Sequence, residues 1–321
     1  MRSVGKKHRM VKKLSERHHW WPECVSQHWA DADGVVHRLS PDGEVRSAPP
    51  KNFGVIGNGH LIKLSYDPEF EDVRFENFER EFQRADDRFP GVLRWLDDLD
   101  RKGPPFEASI EERMLTQQVT DIQFSDLIEC IVSLAVRSPR HREQAVALAE
   151  RFRGPLPERE RNVLIGVNMR HSLRSAVQSI SGRGKIAVLY SAEKEFIFGD
   201  GFFHNIIAPV QHVTHAKLCV PLTPWLAILF ARPSSFRIEP RLVTIAVGPD
   251  EADAINHSVR VYSRNQLFYR SERPEIDDVF LRRDHCEYSD DRNPIDSLIY
   301  RLPGISPRHR TYDFFRDNYG V

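Results

Sequence analysis

The chain is poor in cysteine, in long apolar runs and in net charge, and each shortage removes a class of protein. Its four cysteines, Cys24, Cys130, Cys219 and Cys286, stand far apart. That spacing excludes the Cys-x-x-Cys pairs of zinc and redox motifs and any dense disulfide frame. It predicts reduced thiols in a reducing, cytoplasmic compartment. The longest apolar stretch, Leu218 to Ala231, is interrupted by Pro221 and Pro224 and is too short to span a bilayer, so no membrane partner is expected. No apolar run follows the basic N-terminal residues before His18, so a secretory leader is not expected either. Lys plus Arg and Asp plus Glu both total 46, which leaves no whole-molecule attraction to nucleic acid. The familiar signatures are missing too. There is no Gly-x-x-x-x-Gly-Lys-Ser/Thr loop, Gly-x-Gly-x-x-Gly turn, His-Glu-x-x-His helix, Gly-x-Ser-x-Gly elbow or helix-turn-helix reader.

What is present is ordinary globular material with an uneven charge pattern. Residues 1–17 carry seven Lys/Arg against one acid, Glu16, the composition of a phosphate-binding arm and equally of a solvated tail. Residues 67–100 reverse the sign, with twelve acids against five arginines. Between these, residues 18–66 have β character. Val35–Leu39 reads as a strand, Ser40-Pro41-Asp42-Gly43 as a turn and Glu44–Arg46 as the return strand, with a second β segment at Leu61–Tyr66.

From Asp67 the period becomes helical. Phe75, Phe78 and Phe82 share a face, and Pro90 is expected to open a second helix. Four more helices are expected near 107–119, 122–136, 140–152 and 159–181. The 122–136 segment is apolar on several faces and should be the most buried. After Gly182-Arg183-Gly184, strands are expected at 186–189, 195–198, 217–220, 226–230 and 242–247, then a helix opened by Pro249-Asp250-Glu251. The sum is an α+β fold whose N- and C-terminal β segments form one sheet-containing unit around a helical middle. The expected divisions are a basic arm (1–17), one composite domain (18–270: 18–66 β, 67–182 helical, 183–270 β plus helix) and a polar surface tail (271–321).

Three constellations carry chemistry-bearing residues. His18-His19-Trp20-Trp21-Pro22 offers a base or metal ligand, or an aromatic and imidazole plug in the core. Asp200 follows the Phe196–Phe198 segment and precedes Gly201, a place to display a metal-binding or catalytic carboxylate. It is equally a place for an Asx-turn. His204, His212 and His215 lie downstream, and His212 and His215 would converge with Asp200 only across a turn. Arg137-Ser138-Pro139-Arg140-His141-Arg142 joins two helices. Its guanidiniums suit phosphate or carboxylate, or an internal acid held as a structural clamp.

In order and spacing these elements resemble a widespread microbial family of unknown function. Its members open with a His-x-x-Pro element leading to an aromatic-Ala step, like His19-Trp20-Trp21-Pro22 and Trp29-Ala30 here. A Pro-Lys-Asn element follows, matching Pro50-Lys51-Asn52, and an Arg-Thr/Ser-Pro-x-x-Arg element, matching Arg137-Ser138-Pro139 with Arg142. The family hallmark, Phe-Ile-Thr-Ser-Asp-Asn-Pro, corresponds to Phe196-Ile197-Phe198-Gly199-Asp200-Gly201-Phe202. Pro221-Leu222-Thr223-Pro224 and the helix bearing Asn256 complete the pattern over residues 18–270. Thr, Ser, Asn and Pro of the hallmark are all replaced around Asp200, and the resemblance implies no particular reaction.

Two functions are compatible with these residues. One is a nucleic-acid-acting, nuclease-like hydrolase, a role that would suit bacterial defence. In it His19 is a base or ligand, Asp200 holds a divalent metal ion, and Arg137 and Arg142 steady phosphate oxygens. The other is a non-enzymatic component that binds nucleic acid through the basic N-terminal arm, or binds a protein partner.

Overall fold

The computed structural model describes residues 17–57, 61–63, 75–103, 107–206, 216–233, 236–283 and 293–305. The elements run in chain order. First come β1 (Arg17–His19), α1 (Glu23–Ser26), β2 (Val36–Leu39), β3 (Val45–Ala48), β4 (Val55–Gly57), β5 (Leu61–Lys63) and β6 (Phe75–Asn77). A helical run follows: α2 (Arg80–Asp97), broken by β7 (Met114–Gln117), then α3 (Asp121–Arg137), α4 (Pro139–Arg153) and α5 (Glu158–Ile180). The rest is β8 (Lys185–Ser191), β9 (Phe198–Gly199), β10 (Lys217–Thr223), β11 (Leu226–Ala231), β12 (Leu242–Val247), α6 (Pro249–Tyr262), β13 (Leu267–Tyr269), α7 (Asp278–Leu281) and α8 (Pro294–Ile299). The fold is α+β. No helix among the described residues is long and apolar enough to cross a membrane.

Two sheets organise it. The N-terminal hairpin joins C-terminal strands in the order β3-β2-β13-β9, with Leu39 opposite Leu267. The two ends of the chain therefore do close on one another. The main C-terminal strands form a separate five-stranded sheet, β10-β11-β8-β12-β7, with β8 and β12 parallel and the other pairs antiparallel. Every residue of β8, β10, β11 and β12 is buried, so this sheet is covered on both faces. Their near-continuous apolar sequences are what two-sided burial requires.

Four expectations need correction. Residues 107–119 contain a strand, not a helix. Met114–Gln117 completes the sheet edge beside β12, and Arg113 anchors it by donating to the Ala246 carbonyl (2.5 Å) and pairing with Glu251 (2.7 Å). Pro90 does not divide two helices; it sits inside continuous α2. A proline at 90 leaves the carbonyl of Asp86, four residues earlier, without its helical donor. The Cys24 thiol meets that carbonyl at 3.8 Å. Pro221 does not end its strand either, because β10 lies at a sheet edge and its register shifts between Pro221 and Thr223. Finally, the segment after residue 270 is not just a polar surface tail. Phe280, Ile295, Leu298, Ile299 and Leu302 are buried, and α8 packs on α6 and β11.

Candidate functional site

The three constellations meet where α3 joins α4. Ser138 ends one helix and starts the next. Its hydroxyl donates to the Ala135 carbonyl (2.8 Å) and accepts from the His141 N–H (3.2 Å). Pro139 then takes the first helical position, where its missing N–H is no loss. The joint therefore turns without a loop.

On one side of it, Arg137 is buried and forks onto Asp86 of α2 at 2.5 and 3.0 Å, over the Phe82 ring. The same guanidinium lies 3.5 Å from the His19 carbonyl. His19 is half-buried, and its ring Nε2 is enclosed without a hydrogen-bond partner among the described residues. His18 is buried, with Nε2 3.4 Å from the Glu79 carboxylate. Trp20 and Trp21 stack on Phe198, the latter at 4.6 Å between ring centroids, and Trp29 donates to the Leu222 carbonyl. The N-terminal segment thus plugs the junction of the two chain ends with aromatic rings.

On the other side lies Asp200, which is fully buried. Its Oδ1 accepts from the Arg264 N–H (2.8 Å). Its Oδ2 accepts from the Asn265 N–H (3.0 Å) and side-chain amide (3.2 Å). Its own backbone is engaged as well, the N–H with the Gln266 carbonyl and the C=O with the Arg140 N–H, each at 3.2 Å. The turn this carboxylate holds is thus a distant one, between α6 and β13, and not its own. The flanking glycines explain how the chains come so close. A Cβ on Gly201 would fall 1.8 Å from the Tyr262 carbonyl oxygen, and one on Gly199 would fall 2.0 Å from Ser263 Oγ.

Behind Asp200 is a buried cationic and imidazole cluster. Arg140 stacks on Tyr262 (4.5 Å) and donates to the His204 carbonyl (3.2 Å). His141 and His204 are both fully enclosed, with ring centroids 6.0 Å apart. Burial, reinforced by Arg140 and Arg142, pushes His141 down to about 4, with only the backbone of Ile206 acting the other way. Burial, Arg140 and His141 hold His204 well below its ordinary value. Arg142 is lowered to about 10 by burial and by Arg161, and its guanidinium touches the Met169 sulfur at 3.4 Å.

The structure therefore brings His19, Arg137, Asp200 and Arg142 to one joint while aiming their side chains at different partners. Arg137 faces Asp86, Asp200 faces the 264–265 backbone, and Arg142 faces α5. Asp200 fits a resident metal poorly. Both its oxygens are occupied by N–H donors, and no group of three His, Cys, Asp or Glu among the described residues could hold a metal ion. His212 and His215 lie outside the described residues. The thiols of the described residues, Cys24, Cys130 and Cys219, are not activated. Burial raises Cys24 to about 11 and Cys219 to about 12.

Open clefts lie elsewhere. One, of about 700 Å³, runs between α6 and residues 272–275. Another, of about 610 Å³, lies at the ends of β8 and β12 and is lined by Tyr190, Trp225, Arg101, Lys102 and Arg270. Sequence reasoning passed over these residues. The only signal was a lone Trp225 in a turn between two apolar strands. Comparison with protein-family models, curated proteins and solved structures gave no match.

Proposed function

We propose that this chain is a non-enzymatic binding component whose partner is nucleic acid, and that its Asp200 joint is a scaffold. The observation that supports this reading is the saturation of Asp200. A catalytic or metal-holding carboxylate needs an oxygen free to meet the reacting group. Asp200 is fully buried and accepts three N–H donors. The altered hallmark points the same way. Where the resembled family has Thr, Ser, Asn and Pro, this chain has two phenylalanines and two glycines, and these close the loop by packing. The seven Lys/Arg of residues 1–17 supply the charge for a phosphate backbone.

The full chain should bind single- or double-stranded nucleic acid with an affinity that falls steeply with salt, and should leave it uncut in the presence of Mg²⁺, Mn²⁺ or Zn²⁺. Asp200→Asn should lower the melting temperature. Metal-dependent cleavage abolished by Asp200→Asn or His19→Ala at unchanged melting temperature would overturn the proposal and restore the hydrolase.

A further inference from the structure

We infer that the cleft at the ends of β8 and β12 is a binding site for a nucleoside phosphate, with Trp225 under the base and Arg270 and Arg101 on the phosphate. Position comes first. β8 and β12 are the one parallel pair in the five-stranded sheet, and Tyr190 and Ser191 lie beside Ala246 and Val247 at their carboxyl ends. The crevice outside the carboxyl ends of parallel strands is where open sheets with helices present ligands. Adjacent chains leave there in different directions, and neither covers the strand ends. A volume of about 610 Å³ lies within the range of small-molecule sites, roughly 300–1,000 Å³.

Chemistry comes second. Three cations, Arg101, Lys102 and Arg270, line the cleft against one acid, Asp97. Lys102 is committed to the Glu112 carbonyl at 2.6 Å. Arg101 is exposed and lies over the Tyr190 ring at 4.7 Å, with no carboxylate in ion-pair contact among the described residues. Arg270 is half-buried, and among the described residues it has neither an ion pair nor a hydrogen bond. A guanidinium drawn partly out of water without an acceptor is unfavourable unless a ligand supplies one, and its planar fork matches phosphate oxygens.

The third element is the aromatic surface. Trp225 is half-buried at the cleft, its backbone fixed by Thr223 Oγ1 (3.2 Å) and by Ser191 (3.1 Å), and among the described residues its indole contacts no other aromatic ring. A half-buried tryptophan on a fixed backbone, beside guanidiniums that no described carboxylate pairs, is the combination that stacks a base and grips its phosphate. The 700 Å³ cleft offers no such vacancy. Its Lys194 is paired with Asp253, its Arg260 with Asp277, and its Glu195 caps the Ser271 N–H.

The inference gives the proposed nucleic-acid binding a specific site, and the test separates the two. Titrate the full chain with adenosine 5′-monophosphate, adenosine, inorganic phosphate and a short single-stranded oligonucleotide. Repeat with Arg270→Gln, Trp225→Ala and the exposed Arg101→Glu, recording melting curves for each. The monophosphate should bind more tightly than adenosine or phosphate alone. Each substitution should weaken it about tenfold or more, Arg270→Gln and Arg101→Glu at unchanged melting temperature. If only the mononucleotide responds, the ligand is a free nucleotide; if the oligonucleotide responds in parallel, it is one residue of a strand. Removing residues 1–16 should leave mononucleotide affinity unchanged. No mononucleotide binding by the wild-type chain at millimolar concentration, or binding indifferent to Arg101→Glu, would overturn the cleft. Oligonucleotide binding that needs only residues 1–16 would sink the cleft and keep the proposed function.

Discussion

The α3–α4 joint and the β8/β12 cleft hold similar side chains and treat them oppositely. At the joint, Arg137 meets a carboxylate and Asp200 meets backbone N–H groups, deep in the protein. At the cleft, Arg101 and Arg270 have no acid partner among the described residues, and Trp225 is only half-buried. The lesson is that density of ionisable groups does not locate a binding site. What distinguishes one is valence left over after the fold has taken its share. Substitutions should divide accordingly: large stability effects at the joint, small ones at the cleft.

The largest effect is expected at Asp200. Asp200→Ala would take the acceptor from the part-buried Arg264 and Asn265 N–H groups, each loss worth roughly 1–3 kcal/mol, so a total of about 2–6 kcal/mol is expected. Urea unfolding would measure it. A loss under 1 kcal/mol would mean that the joint does not depend on this carboxylate, and the contrast with the cleft would collapse.

Next in size is the acid response of the imidazole cluster. The groups facing His141 are Arg140, Arg142 and His204, with the Ile206 backbone opposing them. An unfolded histidine takes up a proton near pH 6.5, whereas folded His141 resists until about 4. Between those values the unfolded state binds more protons, so stability falls as pH falls, by about 1.4 kcal/mol per unit for one such group. Above about pH 6.5 the effect is absent. Unfolding at pH 7.5 and 5.0 should show the wild-type chain losing roughly 2 kcal/mol more than His141→Phe, with His204 adding in the same direction. Parallel pH curves for the two proteins would show that His141 does not carry the effect.

The same contrast explains what could be read from the sequence. Helices with complete local signals were legible. Thr120 with Gln123 caps α3, Ser138-Pro139 starts α4, and Pro249-Asp250-Glu251 starts α6. The joining of the N-terminal hairpin to C-terminal β structure also followed, from two β-rich ends that each lacked a partner, although the strand it pairs with, β13, was not among those expected. Failures came where a distant group overrode local preference. The Cys24 thiol rescues the Asp86 carbonyl beneath Pro90, β12 draws Met114–Gln117 into a sheet, and apolar positions hidden in a polar stretch, such as Ile295 and Leu298, fill the core. The role of Asp200 was hidden for the same reason. Its partners are more than sixty residues away in sequence, so no local pattern could distinguish a displayed carboxylate from a buried one.

The smallest stability effect is expected at Arg270, and it tests the contrast most sharply. Arg270→Gln removes a half-buried charge that nothing in the described protein satisfies, so folding should lose nothing, with a change within about 0.5 kcal/mol and of either sign. A neutral amide needs less solvation than a guanidinium, which tilts the expectation toward slight stabilisation. Paired urea curves at low and high salt would decide. A loss above 1 kcal/mol that disappears in salt would reveal an electrostatic partner for Arg270 within the fold, and would make this side of the cleft architecture like the joint.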